Sequence, residues 1–229
     1  LRATDDQMNH ALELYHAADF HGAVRECEGA VQTLQTRFGA MNSHVLRGQL
    51  LLANLMRHCM QLTESRAKVE MVIRHLKERR GETHPETLAA EIDLSHVLMK
   101  LDLLVEANAV LERVARQYIV LYGEDDERTL DVHHTLANVA HELGHMERAQ
   151  SMFERLIAQN TVRNGGDDRE TLGCQVILPT APGASNEGGS SPLLGLLPAV
   201  SWPWVPACGS LEPPRPDGEN AQKTGKNGG

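Results

Sequence analysis

The chain repeats a short pattern every 42 residues, and this period limits its possible folds more than any other feature. Three columns recur at this spacing: Gly39, Gly81, Gly123 and Gly165; Leu46, Leu88, Leu130 and Leu172; and Ala23, Ser65, Ala107 and Ala149. Three independent columns in one register are not expected by chance. A fixed period of about 20 to 50 residues is typical of proteins built by stacking one structural unit. The sequence therefore predicts a repeat solenoid, which favours binding over catalysis as its function.

Each period contains two stretches with apolar residues at helical spacing. In the copy that begins at Gly81, the first stretch ends near Asp102 and the second near Gly123. Glycine often ends a helix because it adopts positive φ without strain, and Pro85 suits the first turn of the next helix. The pattern predicts an all-α fold of helical hairpins, with repeat units at 1–38, 39–80, 81–122 and 123–164 and a truncated further repeat at 165–173.

The composition changes after Gly173. Nine of the ten prolines and both tryptophans lie in residues 174–229, where no helical or alternating pattern continues. Prolines interrupt the apolar stretch in this segment, so it lacks the run of about 20 apolar residues that a membrane span needs. We predict a disordered tail at 174–229 and no membrane association.

Charge and cysteine usage limit the function further. The net charge is −9, which argues against a nucleic-acid partner and favours a basic one. In the repeat register, Cys27 and Cys59 fall at positions where other copies carry apolar residues, so we expect both to be free core thiols. The absence of a disulfide framework favours a reducing compartment, and we expect a cytoplasmic protein.

The repeat resembles the tetratricopeptide repeat, in the 42-residue variety of kinesin light chains. The resemblance extends over about residues 1–173, and the segments that carry it are GETHPETL at Gly81 to Leu88, Leu136-Ala137, Glu147-Arg148-Ala149, Leu52-Ala53 and Glu106-Ala107. Kinesin light chains typically carry paired asparagines before the Leu-Ala, where this chain has His134-Thr135, Ile92-Asp93 and Leu50-Leu51. The resemblance implies a right-handed superhelix whose concave groove, lined by the first helix of each hairpin, binds extended peptides.

Projecting the repeat register onto that family predicts the residues of the groove. They are Arg47, Leu50, Asn54, Arg57, Ile92, His96, Met99, Asp131, His134, Asn138 and His141. In peptide-binding relatives the position of Asn54 and Asn138 often contacts the ligand backbone, and an amide suits this role because it both donates and accepts hydrogen bonds. The alternative is that asparagine is only tolerated on a polar helix face.

A short motif offers a competing function. His141-Glu142-Leu143-Gly144-His145 matches H-E-x-x-H, in which two histidines on one helix bind zinc and the glutamate acts as general base. The register places Gly144 at the end of a helix and His145 in the following turn, so the two histidines need not share a face. No third ligand follows at the spacing of the extended motif.

The sequence favours a non-catalytic scaffold or adaptor that binds a protein or peptide in its concave groove, without a cofactor or metal. A kinesin light chain-like cargo adaptor is the first alternative. A zinc-dependent hydrolase that uses His141, Glu142 and His145 is an alternative of another class.

Overall fold

Shorter and longer helices alternate along residues 2–164, the part of the chain that the computed structural model describes. Within this part there are eight α-helices and no strand. They are α1 (Arg2–His16), α2 (Phe20–Phe38), α3 (Ser43–His58), α4 (Leu62–Arg80), α5 (Pro85–Lys100), α6 (Leu104–Tyr122), α7 (Glu127–Glu142) and α8 (Met146–Asn164). Each helix packs against its neighbours in the chain, and α3 also contacts α5. The predicted all-α solenoid of helical hairpins is confirmed.

The 42-residue period sets where the helices begin. Helices α3, α5 and α7 start 42 residues apart, and so do α4, α6 and α8. The N-cap side chains of the first three, Asn42, His84 and Asp126, each accept a hydrogen bond from the backbone N–H two residues later. Such caps satisfy N–H groups that the first helical turn leaves without a partner. One capping position per period therefore fixes the start of each first helix.

The turn inside each hairpin also recurs at this period. Ala18, Met60, Asp102 and Gly144 all adopt left-handed backbone, with φ between 61° and 78°. In each turn the following N–H donates to a carbonyl five residues earlier, as His145 does to Ala140 at 2.9 Å. This bond closes the end of the first helix. Because left-handed backbone costs a residue other than glycine about 1 kcal/mol, the bond offsets strain at three of the four turns.

Small side chains let the two helices of a hairpin approach closely. Ala23, Ser65, Ala107 and Ala149 are all fully or almost fully buried. Ser65 fits this column because its hydroxyl donates to the carbonyl of Ala53 at 2.6 Å and is thereby satisfied. The buried apolar residues of α5, α6 and α7 form one cluster, so the core continues from one hairpin to the next.

The two thiols of the described helices differ in burial. Cys27 is fully buried, as predicted, and burial raises the pKa of its thiol to about 12. The expectation for Cys59 is wrong in part: it is only partly buried, because it caps α3 at the turn that joins the two helices of the hairpin. Both thiols are free.

The predicted start of a further repeat at 165–173 and the predicted tail at 174–229 lie outside the described residues. Among the helices of residues 2–164, none is long and apolar enough to cross a bilayer.

Candidate functional site

The predicted groove residues occupy one stripe on each of α3, α5 and α7, which we call the first-helix face. Their exposure is uneven. Arg47 and Asp131 are exposed; Leu50, Ile92, His134 and His141 are partly buried; Asn54, Arg57, His96, Met99 and Asn138 are buried. The stripes on α3 and α7 therefore begin with an exposed residue, whereas the stripe on α5 has none.

The contact between α3 and α5 explains much of this burial, and we call it the first seam. The amide Nδ2 of Asn54 donates to the carbonyl of Leu50 at 3.2 Å, and its Oδ1 accepts from the Arg57 guanidinium at 3.3 Å. Asn54 also hydrogen-bonds the carboxyl of Asp93 across the seam. The side chains of this seam thus hydrogen-bond one another.

Burial changes the ionisation of two groups on α5. It raises the pKa of the Asp93 carboxyl from 3.8 to about 7, against the opposing effects of the Asn54 hydrogen bond and the Arg57 charge. Burial, together with the nearby Arg57 charge, lowers the pKa of His96 from 6.5 to about 3. His96 is therefore neutral at physiological pH, and Asp93 titrates close to neutrality.

The same positions one period later form the second seam, between α5 and α7. They hold His96, Met99, Thr135 and Asn138. Thr135 Oγ1 donates to the carbonyl of Asp131 within its own helix at 3.0 Å. Asn138 Oδ1 and His96 Nδ1 are buried and have no hydrogen-bond partner. This seam thus contains polar atoms that its own side chains do not satisfy, and such atoms cost stability when they stay unpaired.

A group of cations and rings at the end of the first seam was not predicted from the sequence. His58 Nε2 and the Tyr15 hydroxyl share a hydrogen bond of 3.2 Å, and the His58 ring stacks on the Phe20 ring. Burial, together with the charges of Arg57 and Lys100, lowers the pKa of His58 to about 4. The sequence signal that could have identified this group is that the last residue of the first helix is polar in every hairpin.

Asp93 was also missed as a site residue. It follows Asn54 by 39 residues, which is one period less one helical turn. Two residues at this separation lie on adjacent first helices, displaced by about one helical turn. That spacing is the signal that could have identified the pair.

The H-E-x-x-H match does not form the helix-borne pair that a zinc protease needs. Helix α7 ends at Glu142, Leu143 caps it, and Gly144 adopts φ 78°. His145 therefore lies beyond the helix. Among residues 2–164, no cluster of three or more potential metal ligands is present.

Comparison with known proteins agrees with this architecture. Residues 89–160 match the tetratricopeptide repeat family model. No curated protein sequence matches the chain significantly. The predicted tetratricopeptide-repeat fold is thus confirmed, and its repeats are similar to those of kinesin light chains.

Three solved structures are similar to the chain. A Podosopora anserina structure of nearly identical kinesin light chain TPR-like repeats has a TM-score of 0.67 and 21% identity, covering 76% of this chain and 82% of that one. BtubC (BKLC) from P. vanneervenii has a TM-score of 0.52 and 14% identity, covering 83% and 95%. A Rap protein complexed with competence and sporulation factor has a TM-score of 0.58 and 12% identity, covering 77% and 52%. At these identities the likeness concerns the fold.

Proposed function

We propose that the chain is a non-catalytic adaptor that binds an extended peptide along its first-helix face. The tetratricopeptide repeats and their structural neighbours support a protein–protein interaction scaffold. The particular face, the peptide and a cytoplasmic location are the finer parts of the proposal. A similar fold in complex with competence and sporulation factor supports a ligand-binding use of such helices.

One observation carries the proposal. Asn138 is 9% exposed, and its amide oxygen has no hydrogen-bond partner. A buried acceptor without a partner costs about 1 to 3 kcal/mol, so such a group persists more readily where a ligand satisfies it. A peptide in extended conformation presents backbone N–H groups at regular intervals, and one of them supplies the missing donor once the Asn138 side chain, whose oxygen is covered in this structure, turns toward the peptide. Asn138 is also one of the residues that the repeat register predicted for the groove.

The chemistry of the face suggests which peptides fit. Leu50 and Ile92 offer partly exposed apolar contacts, and Asp131 adds an exposed negative charge on α7. The whole chain carries a net charge of −9. We therefore expect a peptide with apolar side chains and a basic residue over α7, since opposite charges speed association and orient the ligand.

A cargo-adaptor role is the more specific form of this proposal. It rests on the similarity to kinesin light chain TPR-like repeats, with a TM-score of 0.67. It predicts that the selected peptides resemble segments of transported proteins.

The test uses the full chain and a random-sequence peptide display library. Peptides selected by the wild type are measured against Asn138→Leu, which removes the unpartnered amide but keeps a similar side-chain volume. We expect about tenfold weaker binding, the value of one or two hydrogen bonds, together with an unchanged or higher melting temperature.

Thr129→Val is the matched control. Thr129 lies on the same helix, is fully buried, and its hydroxyl also has no hydrogen-bond partner. Its replacement removes the same kind of atom outside the first-helix face, so binding should not change. Failure to select any peptide, or equal binding by the wild type and Asn138→Leu, would contradict the proposal.

A further inference from the structure

A small cavity lies between α7 and α8. Its volume is about 70 Å³, and its lining residues are His133, Met152, Arg155, Leu156 and Gln159. This volume corresponds to about two water molecules at about 30 Å³ each, or to a group of similar size such as a carboxylate. None of the lining residues belongs to the first-helix face.

The preceding hairpin shows what occupies the equivalent place. One period earlier, His133 corresponds to Glu91 and Arg155 to Arg113. The Glu91 side chain is 3% exposed, and its carboxylate pairs with the Lys77 ammonium at 3.0 Å and with the Arg113 guanidinium. There, the chain itself supplies a buried carboxylate to the arginine of the second helix.

The fourth hairpin keeps the arginine and loses that carboxylate. Arg155 is instead paired with Glu124, at 2.7 Å, through an ion pair in which both side chains are more than half exposed. Exposed pairs of this kind contribute little and compete weakly for the guanidinium, which has five donors. Burial and the Arg155 charge lower the pKa of His133, so the imidazole is neutral and keeps one N–H donor.

We propose that this cavity binds a carboxylate, held by Arg155 and His133 in the place that Glu91 fills one hairpin earlier. Met152 and Leu156 contact the apolar carbon next to the carboxylate. The position of Lys77 is taken one period later by Ile119 of α6, so Arg155 is the main cation that the ligand meets. The carboxylate comes either from a small free acid or from an acidic side chain of a partner. The inference does not depend on peptide binding by the first-helix face.

The experiment follows the NMR signals of the Arg155 Nε–H group and the His133 ring in the full chain. Three probes are titrated: sodium acetate, the capped tripeptide Gly-Glu-Gly, and the capped tripeptide Gly-Gln-Gly as a neutral control. Sodium chloride at equal ionic strength corrects for screening. We expect saturable shifts with acetate or Gly-Glu-Gly and none with the control probe. A response to acetate alone identifies a small free acid, and a stronger response to Gly-Glu-Gly identifies an acidic side chain.

Two variants introduce residues that other hairpins of this chain carry at the equivalent positions. Arg155→Met introduces the residue that stands at this position in the second hairpin, Met71, and should weaken acetate or Gly-Glu-Gly binding at least fivefold. His133→Glu rebuilds the carboxylate of Glu91, so it should abolish binding while it raises the melting temperature. Because this second variant is expected to be more stable, loss of binding cannot be attributed to unfolding. Shifts equal to those of chloride, or undiminished binding in both variants, would overturn the proposal.

Discussion

The two seams of the first-helix face lie at the same positions of the repeat and differ in how their polar side chains are hydrogen-bonded. Asn54, Arg57 and Asp93 in the first seam are replaced by His96, Met99 and Thr135 in the second. In the first seam an amide joins a guanidinium and a carboxyl, although Arg57 Nε is buried and has no hydrogen-bond partner. In the second seam, buried polar atoms of His96 and Asn138 have no partner.

This difference between the seams shows that the repeat period specifies the scaffold and leaves the chemistry of each seam free to vary. Helix lengths, caps and turns recur at 42 residues, so the two seams are built from equivalent positions, although α3 and α5 are in closer contact than α5 and α7. The first seam uses its polar residues to hold two hairpins together. The second seam pays a stability penalty for unpaired polar atoms, which is the behaviour expected where recognition matters more than stability.

The largest expected effect comes from making the same substitution at Asn54 and at Asn138, which occupy equivalent positions in two repeats. Asn54→Leu removes three hydrogen-bonding interactions and leaves Asp93 and Arg57 without their amide partner, so we expect a loss of about 2 to 3 kcal/mol in the free energy of unfolding. Asn138→Leu should cost nothing or stabilise the chain. Urea denaturation followed by circular dichroism measures both. Equal losses in the two variants would show that the seams do not differ in the way described.

A smaller effect is expected when Arg57 of the first seam is replaced by the residue that occupies the equivalent position in the second seam. Arg57→Met copies Met99 and removes the positive charge near Asp93. Above pH 7 the Asp93 carboxyl is ionised in the wild type, and loss of the cation should destabilise the fold by about 1 to 2 kcal/mol. Near pH 5.5 the folded wild type already carries Asp93 protonated, so the loss should be smaller. A difference between variant and wild type that does not change between pH 5.5 and pH 8 would exclude this role of Asp93.

The smallest effect is a change in the pH dependence of stability. The folded-state pKa of Asp93 is raised, so its contribution is full below pH 3.8 and is lost as pH rises toward 7. The folded-state pKa of His96 is lowered, so its contribution is full above pH 6.5 and is lost as pH falls toward 3. The two slopes oppose each other between about pH 4 and 6.5.

Single substitutions should separate these slopes. Asp93→Asn should make the melting temperature fall more steeply than in the wild type on acidification from pH 6.5 to 4. His96→Asn, which copies the residue of the neighbouring repeats, should make it fall less steeply or rise. Melting curves across this range check both signs, and parallel curves for the two variants would contradict the assignment.

Much of the fold follows from the sequence because its determinants are local and recur. The glycines that end the second helices and the capping positions lie in one register, so helix pairs can be counted before any contact is known. Cys27 could be placed in the core because its counterparts Val69, Leu111 and Phe153 are apolar. Cys59 was misplaced because its apolar counterparts Leu101 and Leu143 also cap helix ends, where all three residues are only partly buried.

The sequence predicts which residues lie in the candidate site, but not how deeply they are buried or which residues they contact. The register gave the residues of the stripe, and their binding role stays a prediction. Burial of Asn54 and Arg57 could not be inferred, because it depends on how closely α3 and α5 approach. For the same reason, the sequence shows Asp93 only as a residue that stands where kinesin light chains carry one of the paired asparagines. Its hydrogen bond with Asn54 is seen only in the three-dimensional structure.

The equal spacing of the helix starts has an evolutionary consequence. A block of 42 residues taken from any phase of the repeat contains one complete set of helices, caps and turns. Duplication or deletion of such a block therefore alters the number of hairpins while it keeps every helix in phase. Only the side chains at the new junction must adapt, so the length of the scaffold can change in a single genetic step and the chemistry of its seams by later point substitutions.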